Sequence, residues 1–214
     1  AQREAQRGLS ALLKTEKAEA ALLYGVTGSG KTQVYISLVK EVLASGKSAL
    51  VLVPEIALTS KLLELFVAQF GPKVAILHSA LPAGERYDEW KRIQSGAATV
   101  VLGTRSAVFA PQKNVGLFIL DEEQEGSYQS ESMLRYHARD VAKYRCAQHK
   151  ALLLLGSATP AIETMYAAEM GLYHLFGLHQ RYNGRALPSV MIVDMKDELR
   201  HGNDSGLSLA LCSE

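Results

Sequence analysis

Residues 20–32, AALLYGVTGSGKT, decide the fold of this chain. The first five residues form a short apolar run, which is typical of a buried strand. A helical pattern follows the stretch, with Val34, Leu38 and Val42 on one face. Between strand and helix, residues 25–32 fit G-x-x-x-x-G-K-[S/T], the pattern of a phosphate-binding loop. We therefore expect a nucleotide-binding α/β domain.

Each position in this loop has a role in phosphate binding. Glycines let successive backbone N–H groups surround phosphate oxygens, and the following helix adds the positive end of its dipole. Lys31 is expected to reach the β- and γ-phosphates as a catalytic cation, and the Thr32 hydroxyl to complete the shell of Mg²⁺. The residues expected to contact the nucleotide are Gly25, Thr27, Gly28, Ser29, Gly30, Lys31 and Thr32.

The same alternation of short apolar runs and helical patterns continues along the chain. Such alternation predicts a doubly wound parallel sheet with helices on both faces. We expect residues 1–176 to form this ATP-binding domain and residues 177–214 to be a loosely patterned C-terminal extension. Strands are predicted at 20–24, 49–53, 74–77, 99–102, 117–120, 151–155, 172–176 and 190–193, and helices at 2–17, 32–44, 59–69, 82–94, 136–148 and 160–170.

An acidic cluster, Asp-Glu-Glu-Gln at 121–124, follows the predicted strand 117–120. Asp121, at the carboxyl end of the strand, is expected to hold Mg²⁺ through its water shell. Glu122 is expected to orient and deprotonate the attacking water. A solvated surface loop is the alternative, but a phosphate loop elsewhere in the chain favours the catalytic interpretation.

Composition narrows the class of protein. The 214 residues carry 23 basic and 22 acidic side chains, a net charge of +1, which is too balanced for a purely electrostatic nucleic-acid binder. No apolar run approaches the ~20 residues of a membrane span, so no membrane partner is expected. Cys146 and Cys212 have no C-x-x-C partner, which favours a reducing, cytoplasmic setting. Because the chain lacks an initiator Met, we expect an excised piece of a longer protein.

Five segments occur in this order along the chain: GVTGSGKT at 25–32, PEIALT at 54–59, GTRSAVF at 103–109, DEEQ at 121–124 and GSATP at 156–160. Together they resemble motifs I, Ia, Ib, II and III of the superfamily 2 helicases. Their sequences, with RYHARD at 135–140, are similar to the primosomal protein N′ (PriA) family of bacterial replication-restart helicases. The likeness covers nearly the whole chain. It implies the first of two RecA-like lobes of a DNA helicase with 3′ to 5′ polarity.

The resemblance assigns roles to further residues. Gln2 matches a glutamine that reads adenine, while Ser157 and Thr159 would transmit the nucleotide state from residues 121–124 to the DNA side. Gln124 stands where the family usually has histidine, so it would serve coupling without carrying charge. Residues 128–136 resemble an aromatic-rich loop that senses DNA. A groove for single-stranded DNA would be lined by Pro54, Glu55, Thr59, Gly103, Thr104, Arg105 and Ser106, with Arg105 on phosphates.

The family also implies cofactors and partners. These are ATP with Mg²⁺, zinc only beyond residue 214, single-stranded and forked DNA, and primosome and single-strand-binding proteins, with the protein itself a monomer. Residues 1–214 alone are expected to be inactive, because the family supplies its transition-state arginines from the second lobe. Two alternatives to a helicase of this family remain open: another superfamily 2 translocase, or a non-catalytic DNA-binding or loading platform.

Overall fold

The computed structural model describes residues 1–55, 60–131, 134–181 and 190–213. The chain divides into two units, Ala1–Asn183 and Gly184–Glu214. The first unit contains the strands β1 (Glu19–Gly25), β2 (Ser48–Leu52), β3 (Val74–Leu77), β4 (Val100–Gly103), β5 (Val115–Asp121), β6 (Leu152–Ser157) and β7 (His174–Leu178), and the helices α1 (Gln2–Leu13), α2 (Lys31–Ala44), α3 (Ser60–Phe70), α4 (Ala83–Ser95), α5 (Ala138–His149) and α6 (Ile162–Glu169).

The seven strands form one sheet in the order β3-β4-β2-β5-β6-β1-β7, and every pair is parallel. The carboxyl ends of the central strands therefore meet at one edge. There Asp121 of β5 is in register with Gly156 of β6, and Ser157 of β6 is in register with Tyr24 of β1. This edge is where ligands bind in open parallel sheets.

Alternate residues of each strand pack against opposite faces of the sheet. On one face, Leu23 of β1 and Ile119 of β5 share a core with the first three helices. On the other face, Leu22 and Phe118 pack against α4, α5 and α6. Because both faces are covered, the strands read as continuous apolar runs rather than alternating ones. The predicted doubly wound α/β fold is confirmed.

Most predicted bounds lie within two residues of the observed ones, and the largest differences concern the first helix, the last strand of the sheet and the segment 190–193. The first helix ends at Leu13 rather than residue 17, because Leu12 and Leu13 are its last residues that pack against the core and residues 14–17 are all polar. The last strand of the sheet ends at Leu178 instead of residue 176, because it pairs with β1 up to Gly25. The strand predicted at 190–193 is wrong. That segment has no regular structure, and its apolar side chains lie exposed with no strand beside them among the described residues.

The second unit holds two short helices, α7 (Met195–Arg200) and α8 (Leu209–Cys212). Each begins at a capping side chain: Asp194 accepts a hydrogen bond from the Lys196 N–H, and Ser208 accepts one from the Leu211 N–H. Across the described residues of both units, no helix has the length and apolarity that a membrane crossing requires.

Candidate active site

The phosphate loop joins the end of β1 to the start of α2. Gly28 and Gly30 adopt φ values of +78° and +89°, which glycine reaches without strain and other residues rarely adopt. The Ser29 side chain is buried, and its Oγ has no hydrogen-bond partner among the described residues. A buried hydroxyl within a glycine-rich turn at a helix N-terminus fits a phosphate oxygen as its partner.

Lys31 is the first residue of α2 and is only 8% exposed. Its Nζ donates a hydrogen bond to the Gly25 carbonyl at 2.9 Å and lies 3.5 Å from Oε1 of Glu122. The amino group thus connects the phosphate loop to the acidic cluster. A cleft of about 740 Å³ opens beside it, lined by residues 26–33 together with Gln2, Asp121 and Glu122.

Asp121 ends β5 and is held by two buried tyrosines. Tyr35 Oη donates to Oδ1 of Asp121 at 2.8 Å, and Tyr128 Oη donates to its backbone carbonyl at 2.7 Å. Burial raises the pKa of the Asp121 carboxyl, while the Tyr35 hydrogen bond and the nearby Lys31 charge oppose that rise. Sequence reasoning missed Tyr35, because an aromatic residue on an apolar helix face is indistinguishable from an ordinary core residue. It assigned Tyr128 to a loop that senses DNA, whereas the structure buries this side chain against Asp121.

Glu122 adopts a φ of +46°, a strained conformation for a residue with a side chain. Its Oε2 accepts a hydrogen bond from Gln124 Nε2 at 3.1 Å, and Gln124 Oε1 accepts one from Ser157 Oγ at 2.6 Å. The Thr159 N–H donates to Ser157 Oγ at 2.8 Å. A chain of polar contacts therefore runs from Lys31 through motif II to motif III, and the structure brings these predicted residues together.

Glu123 is a residue of this site that sequence reasoning missed. It is 1% exposed, yet its carboxylate accepts three hydrogen bonds, from Arg139 Nη1 at 3.1 Å, Thr164 Oγ1 at 2.9 Å and the Ala161 N–H at 2.8 Å. We call these four residues the Glu123 clamp. The clamp anchors the strained Glu122 backbone to α5 and α6. The signal that could have revealed it is Arg139, which lies within the RYHARD segment.

Gln2 lies at the rim of the cleft. It is the first residue of α1, and its Nε2 donates a hydrogen bond to the Ser29 carbonyl. The structure therefore places Gln2 next to the phosphate loop.

The residues predicted to line a DNA groove differ in their exposure and in the contacts that they make. Glu55 is exposed, and its Oε1 accepts a hydrogen bond from Ser79 Oγ at 3.0 Å. Gly103 ends β4 at a site where an added Cβ would lie 2.2 Å from the Leu77 carbonyl oxygen, so its role is close packing. Pro54 and Thr104 are buried, Ser106 is exposed, and Thr59 lies outside the described residues.

Arg105 contacts protein rather than standing free. Its Nη1 donates to the carbonyls of Ser127, at 3.1 Å, and Gln129, at 2.5 Å, and its guanidinium carbon lies 6.0 Å from the centroid of the Tyr136 ring. These contacts join motif Ib to the segment that follows motif II. Arg105 therefore holds the segment that follows motif II against motif Ib.

Gly156 leaves the space that the Tyr35 hydroxyl occupies, because a Cβ at residue 156 would lie 1.8 Å from that oxygen. We expect Gly156→Ala to lower the free energy of unfolding by ~1–3 kcal/mol, since overpacking forces side chains out of their positions. Urea unfolding of the variant would measure the loss. Gly84→Ala is the control, because a Cβ there meets nothing within 4 Å. Equal stabilities for the two variants would contradict the packing argument.

Comparison with known proteins identifies curated relatives of this chain. The chain is 47% identical over 210 residues to replication restart protein PriA of Bacillus subtilis, covering 98% of this chain and 26% of that protein. It is 46% identical over 195 residues to PriA of Treponema pallidum, covering 91% of this chain and 30% of that protein. The chain thus spans about a quarter to a third of the length of these curated relatives.

Solved structures share the fold. RecG bound to a three-way DNA junction matches with a TM-score of 0.62 at 23% identity, over 92% of this chain and 26% of that one. The Hef helicase domain of Pyrococcus furiosus matches with a TM-score of 0.57 at 20% identity, over 84% of this chain and 38% of that one. The RecA-like helicase fold is thereby confirmed. The family described as DEAD/DEAH box helicase matches residues 3–167, so the chain belongs to that family.

Proposed function

We propose that this chain is the ATP-binding lobe of a DNA helicase that hydrolyses ATP to unwind DNA during replication restart. One observation carries the proposal: Lys31 of the phosphate loop lies 3.5 Å from Glu122, which is hydrogen-bonded through Gln124 to Ser157. In the proposed helicase, these contacts would join the site of ATP hydrolysis to motif III, the segment that the resemblance assigns to coupling with DNA. Such a connection is needed if ATP hydrolysis is to drive DNA unwinding.

The chemistry that these residues support is phosphoryl transfer to water. Backbone N–H groups of the phosphate loop bind the phosphates, and Lys31 places positive charge on the transferring group. Glu122 orients the attacking water and accepts its proton. Thr32 and Asp121 line the same cleft and would hold Mg²⁺, which would supply further positive charge to the phosphates. Gln2 is proposed to read the adenine base.

The metal is proposed to bind together with the nucleotide rather than at a cage of protein ligands. Within the described part of the chain, no three His, Cys, Asp or Glu side chains gather to hold a metal ion. Mg²⁺ is commonly bound by one or two carboxylates plus substrate phosphates, which matches the single carboxylate of Asp121. Any zinc is proposed to belong to sequence beyond residue 214.

Single-stranded and forked DNA are proposed as substrates, with 3′ to 5′ polarity. The support for DNA as substrate is that the curated relatives are replication restart proteins, and that the RecG structure holds a three-way DNA junction. The proposed DNA groove comprises the residues that the resemblance implies, Pro54, Glu55, Thr59 and 103–106, of which Glu55 and Ser106 are exposed in the described part of the chain. Primosome and single-strand-binding proteins are the proposed partners of a cytoplasmic monomer.

The proposed organisation has residues 1–176 as the ATP-binding lobe and residues 177–214 as an extension leading towards a second lobe. Residues 1–214 alone are proposed to bind nucleotide weakly and not to turn it over. An arginine supplied from outside the phosphate-loop lobe contributes ~10³–10⁵ to the rate in related sites. Single-turnover hydrolysis by this chain beside the full-length protein tests this point, and equal rates would overturn it.

Glu122→Gln in the full-length protein tests the proposed function most directly. The carboxamide keeps the size of the side chain but cannot accept a proton, so ATP binding should persist while hydrolysis falls by ~10²–10⁴-fold. Steady-state hydrolysis with and without single-stranded DNA, together with equilibrium binding of ATP, measures both properties.

Gln124→His is the companion variant, because residue 124 hydrogen-bonds both Glu122 and Ser157. It should change chiefly the stimulation by DNA and reduce basal hydrolysis far less than Glu122→Gln does. Identical behaviour of the two variants would contradict the separate roles of base and coupling residue. A wild-type protein that binds DNA but shows no DNA-stimulated hydrolysis would favour the non-catalytic platform instead.

A further inference from the structure

We propose that Tyr35 is a positioning residue for Asp121: its hydroxyl fixes the orientation of the carboxylate that the proposed function assigns to Mg²⁺, and Gly156 provides the space for it. This inference rests on the proposed function. It adds a role for a tyrosine and a glycine that neither the nucleotide chemistry nor the DNA groove uses.

The position of Tyr35 on α2 is the first observation. Tyr35 lies four residues after Lys31, so the two side chains project from the same face of the helix, one turn apart. Its side chain is 2% exposed, and its hydroxyl donates to Oδ1 of Asp121 at 2.8 Å. One rigid helix therefore carries the phosphate-binding lysine, the Mg²⁺-binding Thr32 and the group that holds the carboxylate on β5.

Gly156 is the second observation. It pairs with Asp121 in the register of β5 and β6, directly beside the carboxylate. An added Cβ would lie 1.8 Å from Tyr35 Oη, 2.9 Å from its Cζ and 3.4 Å from Asp121 Oδ1. Because the clash is with the end of a fully buried ring, Tyr35 could not simply turn away into solvent. The Tyr35–Asp121 hydrogen bond thus requires glycine at this position of motif III.

The physical consequence concerns the carboxylate plane. The last torsion of an aspartate side chain is broad, so an unrestrained carboxylate samples many orientations. A hydrogen bond to an ionised oxygen is among the stronger ones in proteins and restricts that rotation. Tyr128, in contrast, holds only the backbone carbonyl of Asp121. Tyr35 therefore fixes the orientation of the Asp121 side chain, and Tyr128 fixes the position of its main chain.

The test compares Tyr35→Phe with Tyr128→Phe in the full-length protein. Each substitution removes one buried hydroxyl beside Asp121, but only the first removes a contact to the carboxylate. Binding of a fluorescent ADP analogue is measured in EDTA and across a Mg²⁺ titration. For Tyr35→Phe we expect metal-free affinity within about twofold of wild type and a Mg²⁺ midpoint raised about tenfold, the effect of losing a hydrogen bond to a charged group. Tyr128→Phe should leave the midpoint within about twofold.

Gly156→Ala provides a second route to the same state, because it displaces the hydroxyl while Tyr35 is retained, and it should also raise the Mg²⁺ midpoint. An unchanged or lowered midpoint in Tyr35→Phe, or equal shifts from the two tyrosine variants, would overturn the positioning role. If Tyr35→Phe does not fold, an unchanged midpoint in Gly156→Ala overturns it. Failure of the wild-type protein to bind the analogue under any condition would instead refute the proposed function.

Discussion

Lys31→Ala in the full-length protein is expected to lower DNA-stimulated ATP hydrolysis by more than ~10²-fold, which is the usual scale for removing a preorganised group that stabilises transition-state charge. Lys31 is buried at the start of α2, between the Gly25 carbonyl and Glu122. No other cation pairs with the Glu122 carboxylate among the described residues. Steady-state hydrolysis at saturating ATP and single-stranded DNA measures the effect.

Lys40→Ala is the matched control, because it removes the same charge from the exposed side of the same helix. Its hydrolysis rate should equal that of the wild type. Retention of more than about a tenth of the wild-type rate in Lys31→Ala would contradict the assignment of residues 25–32 as a catalytic phosphate loop.

Arg139→Met is expected to lower the free energy of unfolding by ~3–5 kcal/mol, because it removes the only cation that pairs with the buried Glu123 carboxylate among the described residues. The remaining donors, Thr164 and the Ala161 N–H, are neutral and cannot balance a charge that is 1% exposed. Methionine fills a similar volume, so the loss would reflect electrostatics rather than a cavity. Chemical denaturation followed by fluorescence or circular dichroism measures the change.

Two further variants distinguish the contribution of the Glu123 clamp to stability from the effect of removing any positive charge. Arg135→Met removes an exposed arginine from the same segment and should change stability by less than ~0.5 kcal/mol. Adding Glu123→Gln to Arg139→Met removes the buried charge and should restore part of the loss, which a double-mutant cycle quantifies. A loss below ~1 kcal/mol in Arg139→Met alone would show that the clamp contributes no more than a surface ion pair.

The predictions that held concern patterns that lie within a few consecutive residues. Strand β1, the phosphate loop and the start of α2 follow from an apolar run, a glycine pattern and a helical period, all inside residues 20–42. The strand predicted at 190–193 failed for the complementary reason. An apolar run forms a strand only where a neighbouring strand accepts its hydrogen bonds, and local sequence carries no information about that neighbour.

The α/β fold, the phosphate loop and the place of Asp121 and Glu122 at the end of a central strand all follow from local sequence patterns. How Asp121 and Glu122 are held depends on tertiary contacts. Tyr35, Gly156 and the partners of Glu123 come from elements far apart in the chain, and they meet because parallel strands bring their carboxyl ends to one edge of the sheet. A buried tyrosine can orient a site residue only if a hydrogen-bond partner lies about 3 Å from its hydroxyl. Whether such a partner is present depends on how distant segments pack together, and the neighbouring residues in sequence carry no information about it.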